Sequence, residues 1–203
     1  VLDSLVTMGT IGDWKAYLRW KVADDAAPLL SSAFVNEDFA FRRRLTGAKE
    51  MLPRWKRCLR ATDQDLGDLL GQAYVRERFS PQARERALVL VRNLEAALGE
   101  RIAALDWMSD ATKQAARAKL DAFANKIGYP DLWRDYAGVT VTRGGWLANR
   151  LECRRWETHR LMQRIGQPVD RREWSMTPPT VNAFYSASFN SINFPAGILQ
   201  RQF

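Results

Sequence analysis

The feature that most restricts this chain is a change of hydrophobic period near its end. Up to about residue 165 the apolar residues recur every three or four positions, the spacing that lines one face of a helix. From Thr180 the spacing becomes two: Val181, Ala183 and Tyr185 alternate with Asn182, Phe184 and Ser186, and Ile192 and Phe194 alternate with Ser191 and Asn193. Pro195-Ala-Gly197 then stops the pattern. Alternation of β-branched and aromatic residues closed by Pro and Gly predicts a strand pair. The nearby proline, which donates no ladder hydrogen bond, argues for an edge position. An edge strand offers unpaired N–H and C=O groups to an extended peptide. An ordinary hairpin in an α+β domain is the plainer account of the same pattern.

The helical part is punctuated locally. Asp13 precedes a stripe of Trp14, Leu18, Val22 and Ala26, which Pro28 breaks and Leu29 restarts. Asn36 is placed to cap a helix carrying Phe39, Phe41 and Leu45, ended by Gly47. Asp63 is placed to cap Leu66, Leu70, Ala73 and Tyr74, with Gly67 and Gly71 suited to close helix–helix approach. Ser80-Pro81 opens a helix faced by Ala87, Val91, Leu94, Leu98 and Ile102. Ser109 opens another with the stripe Ala116, Leu120, Phe123 and Ile127, stopped by Gly128 and Pro130. These stripes read as core. Residues 129–145 read as a loop or a short strand across Val139–Val141, and a last helix runs from Trp146 to Ile165. Asp170–Pro179 connects it to the strand pair.

With 203 residues, 46% hydrophobic and 27% charged, the chain has the composition of an ordinary globular protein. No window has the length and apolarity of a membrane span. The N-terminal residues carry neither an initiator Met nor a secretory pattern, which fits a chain cut from something longer. The net charge of +8 is spread among interleaved acids without a basic block, so solvated helix faces explain it better than nucleic acid does. Cys58 and Cys153 make neither a metal-type pair nor a disulfide framework, and leave the redox compartment open.

The single histidine, His159, falls on a helix between Arg155 and Arg160 and reads as a surface residue. A catalytic zinc site needs three protein ligands, commonly including two histidines, so this chain does not supply one. No nucleophile elbow or Gly-rich phosphate loop accompanies it. Carboxylate pairs such as Asp24-Asp25 sit near helix ends, where structural roles suffice. Alone, the polypeptide is expected to hydrolyse nothing.

The run Asn182-Ala-Phe-Tyr185, Asn190 and Phe194-Pro-Ala-Gly-Ile-Leu-Gln200 resembles the signature of the neprilysin-type zinc endopeptidases. Similar matches run through Tyr17–Trp20, Pro53–Cys58, Leu105–Ser109, Lys126–Asp131 and Val169–Trp174. The resemblance implies a mainly α fold: the helical lobe of a neprilysin-like peptidase, residues 1–175, followed by the first β-strands of a thermolysin-like catalytic lobe, residues 176–203. It implies a zinc-dependent metalloendopeptidase of oligopeptides, cut before the helix that holds the metal. The missing C-terminal catalytic region would supply the zinc ligands, so this chain binds no cofactor and contains no catalytic residue. A periplasmic or extracellular location fits the family.

The resemblance also implies roles for the strand. The Asn182 carboxamide would hydrogen-bond the substrate backbone, and the Ala183 carbonyl would accept from the peptide beside the scissile bond. Phe184 and Tyr185 would support the strand, and Ile198 and Phe203 would line the apolar pocket for the residue after that bond. The chain departs from the family at Arg201-Gln202, where Pro-Pro is usual, and at Asn193, where an apolar residue is usual. Glu173 and Trp174 match the family without an evident role. The alternative is a non-catalytic peptide-binding module that uses the 181–185 edge.

Overall fold

The structure is a computed structural model that describes residues 7 and 9–200. Its elements are α1 (Ile11–Ala26), a 3-10 turn (Ala27–Leu29), α2 (Ser32–Thr46), α3 (Arg54–Arg78), α4 (Pro81–Ala104), α5 (Asp110–Asp121), β1 (Ala124–Gly128), α6 (Trp146–Gln163), β2 (Phe184–Ser186) and β3 (Ser191–Pro195). It is mainly helical with one small sheet. The backbone groups into two compact units, residues 1–57 with 138–159, and residues 58–137 with 160–203.

In the first unit, α1 starts earlier than its apolar stripe suggests. Thr10 is the cap: its Oγ1 accepts from the Asp13 N–H at 3.2 Å, and the Asp13 carboxylate accepts from the Thr10 N–H at 3.0 Å. This capping box holds the Asp13 carboxyl below its usual range, chiefly through the Thr10 side-chain hydrogen bond. Pro28 lies in the 3-10 turn that breaks the helix. The next helix restarts at Ser32 rather than after Asn36, which lies inside α2. Gly47 ends α2 at φ 70°, a left-handed conformation that glycine adopts without a Cβ penalty.

In the second unit, α3 runs through the Asp63 position instead of starting there. The sequence break survives as a kink, with Leu66 at φ −131° and ψ 38°. Ser80 and Ser109 are true caps; their hydroxyls accept from the Ala83 and Thr112 N–H groups at 3.1 and 3.3 Å. Replacing Ser80 with alanine is expected to cost about 1 kcal/mol, read as a lower urea midpoint at unchanged slope. The α4 stripe is only partly core: Val91 is buried, whereas Leu94 and Leu98 are exposed.

The stripe continued from α5 through Phe123 to Ile127 is not helical throughout. The helix ends at Asp121, and Ala124–Gly128 form β1. Its backbone partner is β3: β1 and β3 run parallel with Ile127 opposite Phe194, and β2 pairs antiparallel on the other side of β3. The sheet order is therefore β1-β3-β2. Ile127, Ser191, Pro195 and Ala196 are among the most buried residues, so the core of this unit lies at the sheet.

Pro195 thus closes the central strand, not the edge strand. The hydrogen bonds explain why it is tolerated. Ala124 N–H donates to Asn190 C=O and Ala196 N–H to Gly128 C=O, so the even-numbered residues of β3 turn their backbone groups toward β1. The odd-numbered ones face β2, Pro195 among them. Phe184 pairs with Asn193, so in this register Asn182 falls opposite Pro195. Proline has no N–H to give there, and β2 begins at Phe184 rather than Val181.

Candidate functional site

β2 has β3 on one side and, among the described residues, no strand on the other. Phe184 and Ser186 turn their backbone groups toward β3, which leaves those of Tyr185 facing outward. Ala183 lies two residues earlier, in the same phase of an extended chain. The Ala183 N–H donates to Asn182 Oδ1 at 2.8 Å, so the carboxamide is held by the residue after it, with Nδ2 left to donate elsewhere. Asn182 is exposed and Ala183 half-buried.

Tyr185 has a supporting role. Its ring stacks on Phe123, with centroids 5.6 Å apart and planes 8° from parallel, and Lys119 Nζ lies 5.6 Å from the ring centroid. Its hydroxyl donates to Asn190 Oδ1 at 3.0 Å, and Asn190 Nδ2 donates to the Lys119 carbonyl at 2.8 Å. Asn190 adopts φ 48°, which an asparagine tolerates better than most residues. The edge strand is therefore pinned to the end of α5 through this tyrosine and asparagine. Phe184 is half-buried on the same strand. Ile198 is half-buried in the turn after β3, its N–H on the Pro195 carbonyl at 3.2 Å. Phe203 lies outside the described residues.

Sequence reasoning named the segment that leads into the edge, Asp170–Pro179, only as a connector, without its contacts. Residues 170–180 form a strap across the second unit. Thr177 Oγ1 donates to Asp63 Oδ1 at 2.7 Å, and the Pro178 carbonyl accepts from Gly197 N–H at 2.7 Å. The strap lies so close to α3 that a Cβ on Gly67 would meet the Thr177 methyl, and one on Gly71 the Pro178 ring at 2.7 Å. The close approach foreseen at these glycines is therefore to the strap, not to another helix. Lys126 Nζ, from β1, donates to the Glu173 carbonyl at 2.6 Å. Burial pushes the Lys126 amine down, against the upward pull of Asp170 and Glu173. Arg172 holds the Asp170 carboxyl down at about 2, first through their side-chain hydrogen bond. The signal for this segment was in the matches at Lys126–Asp131 and Val169–Trp174, which named residues without saying what they touch.

A cavity of about 290 Å³ lies under the strap, lined by Asp63, Asp68, Tyr136 and Trp174 among others. Asp63 accepts from Thr177, and Asp68 accepts from the Arg134 N–H at 2.8 Å. His159 is exposed and in the other unit. Among the described residues, no three of His, Cys, Asp or Glu come together to hold a metal ion, so a zinc ion does not fit the side chains present. Cys58 is half-buried and Cys153 is buried. Among the described residues no helix is long and apolar enough to cross a membrane.

Comparison with known proteins decides the family. The model of "Peptidase family M13" matches residues 1–130. The chain belongs to this neprilysin-like metallopeptidase family. It is 42% identical to the zinc metalloprotease Zmp1 of Mycobacterium tuberculosis, with a TM-score of 0.89 over 98% of this chain and 30% of that one. PepO of Lactobacillus rhamnosis HN001 superposes with a TM-score of 0.88 at 28% identity, over 98% of this chain and 32% of that one. The endothelin-converting enzyme homolog of Locusta migratoria is 31% identical over 194 residues, which is 92% of this chain and 27% of that protein. This M13 chain therefore spans about a quarter to a third of the length of such relatives. The mainly helical architecture expected from the resemblance is what the structure has.

Proposed function

We propose that this chain is the helical lobe and substrate-docking strand of a zinc-dependent metalloendopeptidase that cleaves oligopeptides. In this reading residues 1–175 belong to the helical lobe and residues 176–203 open the catalytic lobe. The zinc ligands lie in sequence beyond this chain, which alone is inactive. Bound zinc would supply Lewis-acid polarisation and an activated water. The part played here is to hold the peptide.

The observation that carries the reading is that, among the described residues, no strand pairs with the outer side of β2, with the Asn182 carboxamide beside it. A peptide laid along that edge gives its N–H to the Ala183 carbonyl and takes a hydrogen bond from Asn182 Nδ2. Phe184 and Tyr185 keep the strand straight beneath it. Ile198 lines the apolar pocket for the residue after the scissile bond.

Titration of this chain with a mixed oligopeptide library is expected to show binding that a chelator does not affect. Asn182→Ala should weaken it about tenfold, the worth of one well-placed hydrogen bond in a partly desolvated site. In the intact protein, hydrolysis should disappear with a chelator. A wild-type chain without peptide affinity would remove the docking role, and an intact protein that binds peptides but never cleaves them would remove the peptidase.

A further inference from the structure

We infer that Glu173 is a positioning residue that fixes the strap of residues 170–180 and, through it, the docking edge at Asn182. The inference rests on the peptide-docking reading above and adds the element that sets its geometry. Glu173 is gripped at both ends. Its carboxylate lies between two arginines of the α6 end and a third before it: Arg160 Nη1 is 3.1 Å from Oε1, Arg164 Nη2 is 2.6 Å from Oε2, and Arg134 Nη2 is 3.8 Å from Oε1. Arg164 also reaches Oε1 through Nη1 at 3.1 Å, which makes that pair bidentate. The Glu173 main-chain carbonyl meanwhile takes the buried Lys126 ammonium from β1.

Ion pairs in open water are worth little, and this one differs in setting. The Glu173 side chain is 28% exposed, with Arg160 at 24% and Arg134 at 28%, while Arg164 at 41% is the partner nearest to open water. Charge-assisted bonds in such partly desolvated surroundings are about twice as strong as neutral ones. Removing the carboxylate charge also takes from the three guanidinium groups the anion they share, which is expected to loosen the strap.

What the cluster holds leads directly to the edge. Four residues on from Glu173, Thr177 is tied to Asp63, and the Pro178 carbonyl takes the Gly197 N–H just after β3. Only Val181 then separates the strap from Asn182. Since Pro195 denies Asn182 a ladder partner, the sheet does not place that residue, and the strap is what does.

Hydrogen exchange on the chain without peptide tests the strap by itself. Gly197 N–H bonds the strap, whereas Ala196 N–H bonds Gly128 of β1 and reports on the sheet. Glu173→Gln is expected to speed exchange at Gly197 about tenfold with Ala196 unchanged, and to weaken peptide binding by a similar factor; Glu173→Asp should restore part of both. In the intact enzyme the same loss should appear in KM with kcat nearly unchanged. Should Glu173→Gln fail to fold, Arg164→Gln removes one arm of the cluster and is read the same way. Unchanged exchange at Gly197 overturns the inference, as does equal acceleration at Ala196, which would mean general loosening. Faster exchange at Gly197 with unaltered peptide affinity also overturns it. A wild-type chain that binds no peptide defeats the docking reading instead, and is told apart because the exchange is measured without ligand.

Discussion

Gly197→Ala is expected to destabilise the second unit by about 3 kcal/mol or more, the upper range for overpacking. The added Cβ would fall against the Pro179 carbonyl oxygen, 2.6 Å from the Thr180 carbonyl oxygen and 2.7 Å from the Pro179 carbonyl carbon. All three contacts are backbone, so no rotamer change relieves them. The strap or the turn after β3 must move instead, and either movement breaks the Gly197 to Pro178 hydrogen bond. Gly197 is buried, so the displaced groups find no water in exchange. Gly145→Ala is the control without steric conflict, because nothing lies within 4 Å of a Cβ built there, and it should cost no more than about 1 kcal/mol, the worth of the helix cap it alters. Urea unfolding followed by circular dichroism measures both. A Gly197→Ala loss below about 1 kcal/mol would show that the strap shifts freely, which would also weaken its claim to position Asn182.

What could be read from the sequence was mostly what is decided locally. Ser80, Ser109 and Gly47 act where they stand, because a cap is satisfied by atoms three or four residues away. Asn36 and Asp63 carry the same chemistry yet lie within helices, one of them kinked, since Ser31 and the run from Arg54 start those helices earlier. Thr10 and Asp13 show the same competition within one turn. The period of two marked β3 and, of the run from Val181, the Phe184–Ser186 part that is β2, but Pro195 belongs to the central strand. That distinction depends on β1, which arrives from far earlier in the chain. Asn182 and Ala183 were visible as an edge pattern and a family match. The Glu173 cluster was not, because Arg134, Arg160 and Arg164 meet it only through tertiary packing.

Ile127 is the residue at which the two readings part, and its truncation is expected to cost about 3 kcal/mol. The stripe Ala116, Leu120, Phe123, Ile127 fits a helix by spacing alone, and burial is expected either way. In the structure Ile127 is 1% exposed on β1, opposite Phe194 of β3, and its carbonyl accepts from Arg84 Nε at 3.0 Å. The next residue, Gly128, stands at φ 82° with the Phe79 ring where a Cβ would go, so the backbone here is hemmed in and collapses little around a cavity. Ile127→Ala should therefore fall in the middle of the range for buried truncations, while Ile127→Val should cost only about 1 kcal/mol. The strand reading makes a second demand that a helix would not. Loss of side-chain packing on β1 should speed exchange at Ala196, whose N–H bonds Gly128, more than at amides inside α5. Acceleration confined to α5, or a loss below about 1 kcal/mol, would place the core of this unit away from the sheet. The proposed docking edge would then lose part of its support, because β2 pairs with β3 and β3 with β1, leaving the contacts of Tyr185 and Asn190 with the end of α5 to hold it.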